Sequence, residues 1–150
     1  MNCCRWGSEI ARGMAYLTDM KLVHRDLATR NILIAGERKI CKISDFGLTR
    51  DIYVDDAYWK RGAGKCKINI NDQFQKVSNI FPVPIKWMAP ESLTDHVYTT
   101  KSDVWSFGIV LWEMCSLGCS PYPGISVVTL YRLLQVGYRM NKPPRCPHQL

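Results

Sequence analysis

The sequence predicts an α+β fold, mainly helical with short β-hairpins. Three patterns lead there. Trp6, Ile10, Met14 and Leu17 recur at helical spacing, so the segment from Trp6 to Leu17 is a helix with one apolar face. Ile32-Leu33-Ile34 and Ile40-Cys41-Lys42-Ile43 are short strand-like runs with Gly36 between them, the pattern of a hairpin. Residues Lys101 to Leu117 are apolar on nearly every face, which predicts a buried central helix ended by Gly118 and Pro121. A further amphipathic helix is expected over about 127–136, stopping at Gly137. Between Asp45 and Pro90 the periodicity fades, over a length too great for an ordinary connection.

The 150 residues suffice for one domain. With 47% hydrophobic and 22% charged residues, 5 Trp and 7 Tyr, the composition is that of a folded globular protein. The net charge of +7 and pI near 9.1 admit anionic partners. The basic residues are scattered, however, with Arg38-Lys39 and Lys60-Arg61 the densest pairs, and no stripe tracks a phosphate backbone. No nucleic-acid partner is expected. The 7 cysteines are odd in number and form no CxxC pair, which predicts reduced thiols. Phe107 to Cys115, the longest apolar stretch, already contains Glu113 and falls far short of the roughly 20 residues that span a bilayer. Neither a membrane segment nor a signal peptide is expected in this chain.

His24-Arg25-Asp26-Leu27-Ala28-Thr29-Arg30-Asn31 fits the pattern H-R-D-L-x-x-x-N at every fixed position. A strand-like run then leads into Asp45-Phe46-Gly47, and Ala89-Pro90-Glu91 follows later. These three motifs, in this order, resemble a protein kinase, and the resemblance covers the chain from Trp6 onward. It implies a kinase-like fold of which only the mainly helical C-terminal lobe is represented. The catalytic loop is then 24–31 and the activation segment 45–91.

The resemblance also implies roles. Asp26 orients the substrate hydroxyl and accepts its proton, with Arg30 beside it as a second catalytic residue. ATP and Mg²⁺ are the implied cofactors, with Asn31 and Asp45 holding the metal and Leu33 forming the floor under the adenine. His24 and Phe46 resemble a stacked pair linking the catalytic loop to Asp45-Phe46-Gly47. Asp103 resembles the buried carboxylate that accepts hydrogen bonds from the catalytic-loop backbone.

Ala28 stands where serine/threonine kinases typically carry Lys, and the basic residue is Arg30. That arrangement is similar to tyrosine kinases, as is Pro84-Ile85-Lys86-Trp87-Met88, in which Pro84 would pack on a substrate tyrosine. Protein tyrosines are then the substrates. Residues 45–60 resemble a receptor-type activation loop, in which Tyr53 and Tyr58 are autophosphorylation sites and a phosphate on Tyr58 pairs with Arg25 and Arg50. The receptor resemblance implies self-association of the parent for trans-autophosphorylation. It also implies a position on the cytoplasmic side of the plasma membrane, or in the cytoplasm for the chain alone.

The chain departs from the family pattern in three ways. No Gly-rich loop, strand Lys or helix Glu precedes the catalytic loop, so an absent N-lobe is expected and the 150 residues alone should transfer no phosphate. Glu91 in the family pairs with a buried Arg from helices not found here. Residues 66–82 (CKININDQFQKVSNIFP) resemble nothing in the family, and removing them restores its spacing between Asp45 and Glu91. A retained intron translated in frame accounts for them; a genuine regulatory loop is the alternative, and loop-closure entropy would tolerate it. The intron reading predicts a GTAAG donor in the codons for Cys66-Lys67 and a CAG acceptor in those for Phe81-Pro82-Val83. Genomic sequence lacking either leaves the genuine loop.

Overall fold

The computed structural model describes residues 3–51, 58–59 and 84–148, the residues at 51, 58 and 59 through their backbone alone. The first helix, Cys3–Asp19, buries Cys3, Gly7, Ile10 and Leu17 and half-buries Met14, a single face at helical spacing. It begins three residues before the Trp6 that the spacing marked, because small Cys3 and Gly7 continue its inward face and carry little hydrophobic signal. Trp6 is half-buried and donates its indole N–H to the Lys39 carbonyl at 3.2 Å.

Among the described residues three antiparallel strand pairs follow, β1 (Leu22–Val23) with β4 (Arg50–Asp51), β2 (Ile32–Ala35) with β3 (Ile40–Ile43), and β5 (Tyr58–Trp59) with β6 (Val97–Tyr98). The β2–β3 hairpin sits where its sequence predicts, in the register Ile32↔Ile43 to Ala35↔Ile40. Its turn carries Gly36 at φ +69°, a left-handed conformation that a Cβ disfavours. The β1–β4 and β5–β6 pairs were not legible, since two residues per strand show no alternation.

A short helix, Pro90–Thr94, has Pro in its first turn, where the ring costs no hydrogen bond. The central helix runs Thr100–Cys115 and the last helix Val127–Gln135. The central helix is less buried than its composition predicts: Val104 is 62% exposed, and Leu111, Trp112 and Met114 are only half-buried. Its inward positions instead include Ser102, Asp103, Ser106 and Glu113, each hydrogen-bonded. It serves as a partition. Ile109 faces a core of Val23, Met88, Leu93, Tyr98, Tyr122, Leu130 and Leu134, while its neighbour Val110 packs with Ile10 and Leu27.

The start of this helix is held by a reciprocal cap. Thr99 Oγ1 accepts from the N–H groups of Lys101 (3.1 Å) and Ser102 (3.3 Å), and Ser102 Oγ accepts from Thr99 N–H at 3.0 Å. Among the described residues no helix is long and apolar enough to cross a membrane. Thr99→Ala should cost about 1 kcal/mol, read as a lower urea midpoint at unchanged slope; an unmoved midpoint would mean the cap is redundant.

Candidate active site

Asp103 lies in the first turn of the central helix, 4% exposed, and its carboxylate faces the loop that follows β1. Oδ2 accepts from His24 N–H at 2.8 Å and Oδ1 from Arg25 N–H at 3.0 Å. Arg25 takes φ +71° to present its N–H there, a conformation few non-glycine residues adopt. Its guanidinium donates to the Leu48 carbonyl (3.2 Å) and lies 4.1 Å over the Tyr98 ring.

That anchor aims the next residues. The Asp26 N–H donates to His24 Nδ1 at 3.3 Å, which leaves the ring proton on Nε2, bonded to the Ser44 carbonyl at 3.1 Å. The Asp26 carboxylate is held from both sides. Arg30 pairs with Oδ1, and Asn31 Nδ2 donates to Oδ2 (3.0 Å) and to the Asp26 carbonyl (2.7 Å). Each carboxylate oxygen accepts about two bonds, so acceptor capacity remains for an incoming hydroxyl. The Arg30 guanidinium also lies 4.6 Å over the Trp87 ring.

The hairpin delivers the second carboxylate. Ser44 donates through both N–H and Oγ to the Asn31 carbonyl, each at 2.9 Å, and so ties the end of β3 to the loop 24–31. Asp45 follows at φ +63°, exposed, with Oδ1 accepting from Gly47 N–H at 3.3 Å. A Cβ at Gly47 would stand 3.3 Å from that oxygen and crowd it. Phe46 is half-exposed, its ring 5.3 Å from that of His24; the planes are tilted by 57° rather than stacked, because the His24 ring is turned to bond Asp26 and Ser44.

Both Nδ2 protons of Asn31 are used, so its Oδ1 is the oxygen left over, and among the described residues nothing donates to it. It and the exposed Asp45 carboxylate, on segments joined by the Ser44–Asn31 bonds, are two hard oxygens. That pair fits Mg²⁺, which binds through one or two protein ligands and completes its shell with water and phosphate oxygens. No group of three His, Cys, Asp or Glu among the described residues gathers to hold a metal by itself. Leu33, 55% exposed on β2, pairs across the hairpin with Lys42 and offers an apolar surface beside the loop.

Pro84 opens a 3-10 turn, Ile85–Trp87, and its carbonyl accepts from Trp87 N–H at 2.9 Å. Lys86 Nζ donates to the Pro121 carbonyl at 2.9 Å. Glu91 is half-buried in the short helix, and its carboxylate has no hydrogen-bond partner among the described residues. Arg50 lies on β4, opposite Val23, with Nη1 donating to the Thr49 carbonyl at 2.6 Å. Tyr53 and residues 66–82 lie outside the described residues. The backbone of Tyr58 pairs with Tyr98, the residue whose ring carries the Arg25 guanidinium.

One residue of this neighbourhood was missed in the sequence. Glu113, 6% exposed, accepts from Thr29 N–H (3.1 Å), Thr29 Oγ1 (2.7 Å) and the Trp87 indole N–H (2.8 Å). Its signal was a lone charge in an apolar run, since a buried carboxylate requires several donors.

A family model described as protein tyrosine and serine/threonine kinase matches residues 1–150, and the chain belongs to that family. Its class of chemistry is phosphate transfer to protein hydroxyls, and the family generally uses ATP and Mg²⁺.

Burial pushes the Asp103 carboxyl above its ordinary value of 3.8, against the opposing pull of the Arg25 and His24 N–H groups. Just above pH 3.8 the folded chain therefore holds a proton that the unfolded chain has released. This group's contribution to stability falls as pH rises through that window. Asp103→Asn should remove that slope and cost about 1–3 kcal/mol, because its NH₂ then faces a backbone donor. Urea midpoints measured across the acidic range check both, and an unchanged slope would reject the assignment.

Proposed function

We propose that this chain is the C-terminal lobe of a protein-tyrosine kinase. It would transfer the γ-phosphate of ATP to tyrosine hydroxyls, with a glycine-rich loop and strand lysine contributed by the parent protein. The observation that carries the reading is the line from Asp26 through Arg30 to the face of Trp87. It joins the carboxylate that would take the hydroxyl proton to the segment beginning at Pro84. The tyrosine oxygen attacks the γ-phosphorus, the bond from that phosphorus to the ADP oxygen breaks, and the phenolic proton passes to Asp26. Asn31 and Asp45 would hold Mg²⁺, which when bound neutralises phosphate charge. Leu33 would support the adenine. Pro84 would meet the substrate ring, a contact suited to tyrosine rather than serine.

The receptor reading belongs to the same proposal. Tyr53 and Tyr58 would be modified in trans by a second copy, on the cytoplasmic side of the plasma membrane. Phosphate on Tyr58 would be met by Arg25 and Arg50. The pairing of Tyr58 with Tyr98, which lies under the Arg25 guanidinium, supports that route. A second reading, in which the 150 residues act alone as a non-catalytic binding module, is favoured by the largely apolar groove between the first and central helices, where Ala11, Met14, Ala15, Val104 and Phe107 line it together with Thr18, Asp19, Thr100 and Asp103.

The test uses the full-length protein with Mg-ATP and peptides that differ only in Tyr or Ser at the acceptor position. Tyrosine labelling is expected, lost by about 10²–10⁴-fold in Asp26→Asn and abolished by a Mg²⁺ chelator. Equal labelling of the serine peptide would overturn tyrosine specificity. No labelling of either, with partner binding unchanged in Asp26→Asn, would establish the second reading.

A further inference from the structure

Glu113 is a buried carboxylate without an ion-pair partner among the described residues, held by N–H and O–H donors from two segments far apart in sequence. Thr29 belongs to the loop that carries Asp26 and Arg30. Trp87 belongs to the segment that starts at Pro84. The Trp87 ring is gripped on its edge by Glu113 and covered on its face by Arg30, and Arg30 is bonded to Asp26. The contacts therefore close a circuit: Asp26, Arg30, Trp87, Glu113, Thr29 and back along the loop. Trp87 is also fixed through its backbone, since its carbonyl accepts from Ser106 Oγ at 2.7 Å. Ser106 and Glu113 stand seven residues apart on the central helix, about two turns, so one rigid element grips both sides of Trp87.

We propose that Glu113 is a positioning residue, setting the distance between the catalytic loop and the segment 84–88 and thereby the placing of the acceptor hydroxyl at Asp26. A role in stability alone does not ask for this arrangement. A neutral or apolar side chain of similar volume often serves a core as well as a buried charge does, whereas a shared acceptor between two loops fixes their spacing. Displacing a reacting group by about 1 Å can cost on the order of 10²-fold in rate, so a link of this kind acts on turnover before it acts on folding.

Glutamine is nearly isosteric here. Its carbonyl oxygen can accept from Thr29 N–H and Trp87 Nε1, and its NH₂ can donate to Thr29 Oγ1, since a hydroxyl both donates and accepts. Leucine fills similar space and offers no acceptor. In the full-length protein, Glu113→Leu should lower kcat/KM for the peptide by about tenfold or more, with KM for ATP unchanged. Glu113→Gln should restore most of the loss. Trp87→Phe removes the indole donor and also shrinks the ring that Arg30 covers; combined with Glu113→Leu its cost should be less than the sum of the two, because they share one link. Amide hydrogen exchange should quicken at 26–31 and 85–88 in Glu113→Leu and stay unchanged along the first helix. If Glu113→Leu fails to fold, Thr29→Val and Trp87→Phe, each lacking one donor, carry the same comparison.

The proposal is overturned if Glu113→Gln is as damaging as Glu113→Leu, if the Trp87 and Glu113 effects add, or if exchange quickens everywhere or nowhere. The kinetic arm rests on the tyrosine-kinase reading. If the unaltered protein transfers no phosphate, that reading has failed, and the exchange pattern still decides the role of Glu113.

Discussion

The buried carboxylate of Asp103 accepts the consecutive N–H groups of His24 and Arg25, and the rest of the site is placed relative to those two bonds. Backbone donors inside a core must find partners, and a loop between β1 and the short 3-10 turn Thr29–Asn31 offers few. One carboxylate at the start of the central helix satisfies two at once. It sits where the helix dipole favours negative charge, under a reciprocal cap that fixes the first turn. The loop is thus held by an element with its own core contacts rather than by its own sequence.

From that anchor outward each link is local. His24 bonds both Asp26 and the Ser44 carbonyl, and Ser44 in turn bonds Asn31, so the end of the β2–β3 hairpin and the loop 24–31 share one hydrogen-bonded seam. The exposed Asp45 carboxylate and the spare amide oxygen of Asn31 are products of that seam. On the other flank, Arg30 pairs with Asp26 and covers Trp87. The family membership fixes the class of chemistry; the particular acceptor rests on Ala28, Arg30 and Pro84.

The helices and the hairpin were legible because their patterns run for many residues. Two short strand-like runs flanking Gly36 and an apolar face from Trp6 to Leu17 are hard to produce otherwise. The motif residues were legible as letters, and the resemblance marked Asp103, which accepts the His24 and Arg25 N–H groups; the seam through Ser44 and the grip of Glu113 left no such mark. The β1–β4 and β5–β6 pairs are too short to alternate. The partial exposure of the central helix was hidden, because composition counts apolar residues without saying which of them find a neighbour. Glu113 was overlooked for a related reason. It appeared as a charge that barred a membrane span, and only its three donors, drawn from positions 26 and 84 residues away, reveal what it gathers.

Two residues beside the chemistry, Arg25 and Asp45, have left-handed backbones at φ +71° and +63°. Such conformations cost on the order of 1–3 kcal/mol apiece for residues bearing a Cβ, a sizeable part of the 5–15 kcal/mol by which a domain is typically stable. Glycine or asparagine would relieve that tension at either position, yet neither supplies the guanidinium that would meet a phosphate on Tyr58 or the carboxylate that would hold Mg²⁺. Evolution toward heat resistance and evolution toward turnover therefore pull in opposite directions at these two places. A lineage freed from the need to phosphorylate should show that release first there, before its core has changed.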